Sequence, residues 1–171
     1  MRFRFKLLAG TLALVGAVAV VQAASVGKCP ANPATASDLP KGAAAKAMDA
    51  KAPKYKVECP KGANSATQCK VGKPTFMGWL TFQTTCFVCH GNGGVGTTFA
   101  PNLQDRFNQH GVDFAVFSFV LQHGYRGEIG IMPCWKDNPR VMNNIDNLYR
   151  YLKARADGKL PLGRPQVLAS K

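Results

Sequence analysis

The chain has 171 residues, 46% of them hydrophobic, and a mean hydropathy of −0.09. That is enough for one modest core and too polar for an integral membrane protein with several spans. The 22 basic and 9 acidic residues give a formal charge of +13, which draws the protein toward acidic partners or anionic surfaces and excludes no fold.

The first 23 residues read as a secretory signal. Arg2, Arg4 and Lys6 make a basic start, residues 7–21 are an almost unbroken apolar run, and Val21-Gln22-Ala23 offers a cleavage site after Ala23. An uncleaved anchor is the alternative, but the run is short against the roughly 20 residues a bilayer span needs. Removing those three cations leaves 19 basic against 9 acidic residues, a formal +10. The expected location is the periplasm, with no stable membrane insertion, and export makes nucleic acid a poor partner.

Residues 24–73 form a basic, low-complexity arm. They hold Pro30, Pro33, Pro40, Pro53 and Pro60, nine lysines, only Asp38, Asp49 and Glu58 as acids, and Tyr55 as their single aromatic residue. Such a segment lacks the apolar mass for its own core. Its cysteines indicate that part of it is pinned to the remainder. Cys29, Cys59, Cys69 and Cys134 in an exported chain read as two disulfides, for which three pairings exist. The favoured pairing is Cys59–Cys69 as a local loop and Cys29–Cys134 as a tie from arm to body. No close Cys or His pair remains among these four to hold a metal.

Residues 74–171 carry both tryptophans and eight phenylalanines. Spacings of three and four (Trp79, Phe82, Cys86) predict a helix over 75–90. Gly91, Gly93, Gly94 and Gly96 then break regular structure. A short turn or helix is expected over 103–109, and an apolar helix from Asp113 to a stop at Gly124. Asn138 caps a last helix with Pro139 in its first turn, Val141, Ile145, Leu148 and Leu152 on one face, and Gly158 beyond its end. Strand signals are nearly absent, so the expected class is all-α.

Cys86-Phe87-Val88-Cys89-His90 is the attachment signature of c-type haem. Two thiols three positions apart reach the two porphyrin vinyl groups, and the following imidazole meets the iron. One covalent haem c is the expected cofactor, and its volume would supplement a core of 98 residues. For the sixth ligand, Met132 leads, because a thioether is a soft ligand and Ile131-Met132-Pro133 falls between two expected helices. His110 and His123 are its rivals. His90 needs an acceptor for its other ring nitrogen, and the Pro101 carbonyl is the candidate. Arg126 is a candidate partner for a haem propionate, since arginine holds carboxylates bidentately. Tyr125 and Trp135 could bind a propionate or merely pack.

With these motifs in view, the chain resembles the class I cytochromes c over residues 74–160. Gly78, Phe82 and Cys86 are four apart. The resemblance implies that the glycine lets the first helix cross the last, and that Phe82 packs beside the haem. Leu148-Tyr149-Arg150-Tyr151-Leu152-Lys153 is similar to the family's last helix. The expected architecture is therefore an all-α class I cytochrome c domain over 74–171, packed around one covalent haem, preceded by the arm. Cofactor contacts are expected from Cys86, Cys89, Pro101, Phe82, Trp135 and Arg126, with His90 and Met132 on the iron.

Met132-Pro133, Trp135, Asp137-Asn138-Pro139, Ile145-Asp146-Asn147-Leu148-Tyr149, Lys153-Ala154-Arg155-Ala156-Asp157-Gly158, Gly163-Arg164-Pro165 and Trp79 look like one subgroup. It comprises small periplasmic cytochromes that accept electrons from pyrroloquinoline quinone (PQQ) alcohol dehydrogenases, including methanol dehydrogenases. Cys134 and the cysteine-bearing arm depart from that pattern. The resemblance implies a one-electron carrier and no enzyme, with a PQQ dehydrogenase as donor and another cytochrome or a terminal oxidase as acceptor. A generic respiratory shuttle with another donor is the alternative. A haem peroxidase or ligand sensor would require an open sixth site.

Overall fold

The computed structural model describes residues 28–169. The signal peptide expected over 1–23 lies outside the described residues. Helix α1 (Gly42–Asp49) belongs to the arm. Helix α2 (Lys73–Thr81) starts with a proline in its first turn, passes into a π-helical turn over Phe82–Cys86, and continues as α3 (Phe87–His90). The helix expected over 75–90 is therefore present, with one widened turn inside it. Thr81 Oγ1 donates to the Met77 carbonyl, and Thr84 Oγ1 to those of Leu80 and Thr81. These hydroxyls compete for carbonyls that the regular ladder would use, and such turns recur at functional sites.

Asn102 and Asp113 cap α4 (Leu103–Gln109) and α5 (Phe114–His123), accepting hydrogen bonds from the Gln104 and Val116 amides. The last predicted helix is in fact two. Asn138 caps α6 (Pro139–Met142), and α7 (Ile145–Ala156) follows after a break at Asn143-Asn144. The Asn144 side chain donates to the Arg140 carbonyl, and Asn144 itself leaves helical geometry. Consecutive asparagines offer the backbone a competing partner, which outweighs the continuous apolar face.

Helix α7 buries Leu148, Tyr149, Tyr151 and Leu152. Phe82, fully buried, packs on Tyr151 with ring centroids 5.5 Å apart. Tyr149 meets Phe107, Phe114 and Phe117 at 5.0–5.6 Å. Burial of each such side chain contributes about 1.5–3 kcal/mol. The α2–α7 crossing runs over Gly78, where an added Cβ would lie 1.8 Å from the Asn147 carbonyl oxygen. Only glycine permits that approach.

Short strands, not signalled by the sequence, tie down the arm. β1 (Val57–Glu58) pairs antiparallel with β2 (Lys70–Val71), and β2 pairs parallel with β5 (Gln166–Val167). Ala66, Cys69 and Val71 of the arm are fully buried and join the core formed by α2, α5 and α7. β3 (Tyr125–Arg126) and β4 (Ile131–Met132) form a separate hairpin. Cys59–Cys69 and Cys29–Cys134 are both disulfide-bonded, the pairing favoured from the sequence. No helix among the described residues is long and apolar enough to cross a membrane.

Candidate functional site

Cys86 and Cys89 are the free thiols among the described residues, and the other four cysteines are bridged. They do not bond to each other although three positions apart, which leaves both available for thioether formation. Cys86 is half-buried, and burial pushes its thiol up to about 12; Cys89 is exposed. The helical segment α3 places His90 immediately after them and buries it.

His90 Nδ1 lies 3.2 Å from the Pro101 carbonyl oxygen. That contact orients the ring with Nδ1 as the protonated nitrogen, so Nε2 carries the lone pair a metal takes. Burial lowers the pKa of His90, opposed by the Pro101 hydrogen bond, and so favours the neutral, ligating imidazole. The intervening loop is held by two further bonds, from the Gly96 amide to the His90 carbonyl (2.8 Å) and from Thr97 Oγ1 to the Cys89 carbonyl. Neither anchor was recognised from the sequence, where the glycines read only as helix breakers.

Met132 is half-buried on β4 and packs against the core together with Cys86, Leu103 and Trp135. The loop after His90 meets the hairpin that carries Met132: the Phe99 carbonyl oxygen lies 3.3 Å from where a Cβ on Gly130 would stand. Gly124, the C-cap of α5 with φ +70°, lies beneath the strand after Met132, and a Cβ there would sit 2.8 Å from the Met132 carbonyl oxygen. The two rivals for the iron are placed otherwise. His123 Nδ1 is 2.9 Å from the Phe119 carbonyl and its ring stacks on Phe119, while His110 is exposed at the end of α4.

Phe99, Ile129 and Ile131 are exposed apolar side chains on the loop after the haem motif and on the methionine hairpin. Protein alone leaves them uncovered, as expected where a flat apolar group completes the core. This uncovered apolar surface and the donor set of two thiols, an oriented imidazole and a thioether fit a c-type haem. Arg126 is exposed on β3 and is in no ion pair among the described residues, and Trp135 is half-buried. Cys134 is half-buried within the disulfide to Cys29. Trp79 and Arg164, singled out separately in the sequence, come together: the Arg164 guanidinium lies 5.7 Å from the Trp79 ring and 5.9 Å from Phe76.

Residues 77–152 match the family described as cytochrome c oxidase, cbb3-type, subunit III. The chain is 36% identical to cytochrome c-553I of Paracoccus denitrificans over 96 residues, covering 53% of this chain and 41% of that protein. It is 34% identical to cytochrome c-555 of Methylococcus capsulatus over 94 residues, covering 54% of this chain and 72% of that one. Its structure is similar to that of the c-type cytochrome XoxG from Methylobacterium extorquens AM1, with a TM-score of 0.54 and 35% identity over 59% of this chain and 62% of XoxG. The chain thus spans less than half of cytochrome c-553I and under two thirds of XoxG. The match to most of a small cytochrome, on a helical fold with a haem-attachment motif, shows that this chain belongs to the class I cytochromes c, electron carriers with covalently bound haem c.

Proposed function

We propose that the protein is a periplasmic one-electron carrier, reduced by a PQQ-dependent alcohol dehydrogenase and oxidised by another cytochrome or a terminal oxidase. Cys86 and Cys89 would hold the haem covalently, and His90 Nε2 and the Met132 thioether would ligate its iron. The observation that carries this reading is the His90–Pro101 contact, which aims one nitrogen of a buried imidazole away from the backbone. When bound, haem c would supply a ferrous/ferric couple, and ligation by methionine together with histidine raises its potential.

The protein residues have separate tasks. Pro101 holds the His90 proton at Nδ1 and fixes the ring plane. Phe82, buried against Tyr151, would help exclude water from the bound group. Met132 closes the sixth position, so the reading involves no substrate chemistry at the metal. Arg126 and Trp135 are assigned to the propionate side. The exposed Phe87 and Val88 are assigned to the contact through which electrons enter and leave. Redox complexes of this kind bury little area, below about 1,200 Å².

The dehydrogenase as donor is supported by the resemblance of the C-terminal third to PQQ-dehydrogenase acceptors and by the Trp79–Arg164 stack, which joins two parts of it. The match to an oxidase-subunit family is compatible with delivery to an oxidase. The expected charge of +10 would steer encounter with an acidic donor. Stopped-flow reduction of the ferric protein by a PQQ methanol or ethanol dehydrogenase, across ionic strengths, tests this. Saturable reduction that slows with salt is expected. Absence of reduction, with ready exchange to other cytochromes, would remove the dehydrogenase from the scheme and leave a carrier with a different donor.

A further inference from the structure

The Met132 hairpin is small. β3 and β4 have two residues each, and the turn of 127–130 contains two glycines and is exposed. An isolated two-stranded hairpin is marginally stable in water. It is held from outside by one stretch of the arm. Ala34 bridges to Tyr125, and the Arg126 amide donates to the Ala34 carbonyl at 2.8 Å, securing β3. Five residues earlier, Cys29 is bonded to Cys134, two positions after Met132, with Cα atoms 5.8 Å apart. The Cys29 amide also donates to Asp137 Oδ2 at 3.2 Å. Residues 29–34 therefore run along the hairpin, fixed to β3 through Ala34 and to the segment just past β4 through Cys29.

We propose that the Cys29–Cys134 disulfide and its Ala34 contact are positioning residues for Met132, holding the thioether on the iron and keeping the sixth position shut. This rests on Met132 being the sixth ligand. Ligand release requires the β4 segment to lift, a local opening whose free energy depends on few contacts. A covalent tie two residues away removes most of the displaced states open to that segment. With the tie cut, the methionine-off fraction rises, and the apparent affinity for a competing ligand rises in proportion.

The test measures cyanide binding to the ferric holoprotein, together with the weak red absorption band of a methionine–ferric haem bond and the melting temperature. Four proteins are compared: wild type, Met132→Ala, the pair Cys29→Ser/Cys134→Ser, and Cys59→Ser/Cys69→Ser. Cys59–Cys69 lies at the far sheet and serves as the control for general loosening. The expected result is about tenfold or more faster cyanide binding and a weakened red band for Cys29→Ser/Cys134→Ser, with the control at the wild-type rate despite its lower melting temperature. A change under about twofold in the first pair, while Met132→Ala binds much faster, overturns the tie. So does an equal increase in both disulfide variants. Unchanged cyanide binding in Met132→Ala would instead refute the ligand reading on which the proposal stands. If the first pair is not recovered with haem, reduction of the folded Cys59→Ser/Cys69→Ser protein by a water-soluble phosphine opens Cys29–Cys134 alone and gives the same comparison. The freed thiols are alkylated, Cys29 and Cys134 are verified by mass mapping, and the iron is reoxidised before cyanide is added.

Discussion

Replacing Gly78 by alanine tests the packing that holds the haem-motif helix against the last helix. The added Cβ would lie 1.8 Å from the Asn147 carbonyl oxygen, 2.4 Å from its carbon and 3.0 Å from the Leu148 nitrogen. All three are backbone atoms, so no side-chain rotation relieves the overlap. Ordinary contact begins at 3.4 Å, and the two helices must part by roughly 1.5 Å. A gap of even 0.5–1 Å forfeits about a quarter to a half of the dispersion attraction of the atoms lining it. Phe82, Leu148 and Tyr151, each at most 2% exposed, line the crossing or adjoin it. Overpacking usually costs about 1–3 kcal/mol, and the backbone clash places this site at or above the upper end. Alanine returns about 1 kcal/mol in helix propensity. The expected net loss is at least about 2 kcal/mol, read by guanidinium unfolding of the ferric protein. For a chain of this size about 2 kcal/mol corresponds to a fall of about 4–8 °C in melting temperature. Stability within about 0.5 kcal/mol of wild type, with an unchanged denaturant slope, would refute the close crossing.

Three further outcomes are expected. Met132→Ala should lower the reduction potential by roughly 100 mV, about two decades of ferrous preference at 59 mV per decade, measured by spectroelectrochemistry; an unchanged potential would take Met132 off the iron. Tyr55 donates to Asp157 at 2.9 Å, and burial, then that bond, raises its pKa to about 12. Because the folded value lies above the ordinary 10.0, this stabilisation is fully present below pH 10 and lost as pH rises through about 12. Tyr55→Phe should therefore be about 0.5–1.5 kcal/mol less stable than wild type at pH 8, with the gap closing or reversing by pH 12, and a pH-independent gap would contradict this. Removing Cys59–Cys69, which closes a loop with a sequence separation of 10, should cost roughly 2.5–3 kcal/mol of stability by chain entropy, measured by chemical denaturation.

The haem motif, the helix starts at Asp113 and Asn138, and the helices they begin involve residues within a turn or two of each other. Spacing and side-chain type alone therefore specified them. The His90–Pro101 contact spans 11 residues and was still legible, because a ligating imidazole requires an acceptor and the loop is short. Other features depended on distant partners. The break at Asn143-Asn144 required the outcome of a competition between an apolar face and side-chain bonds to the backbone. The π turn at Phe82–Cys86 depends on which carbonyls the threonines take. Strands of two residues have no periodicity to read, so β2–β5 and the Met132 hairpin were invisible until the chain folded. The arm shows the division most clearly. Its composition identified a segment without its own core, whereas tertiary structure decided where it lies. Ala66, Cys69 and Val71 are buried against distant helices, and Cys29 reaches Cys134 across a sequence separation of 105. The chemistry of the candidate ligands was legible in the sequence because it is local; only the tertiary structure decided what packs around them.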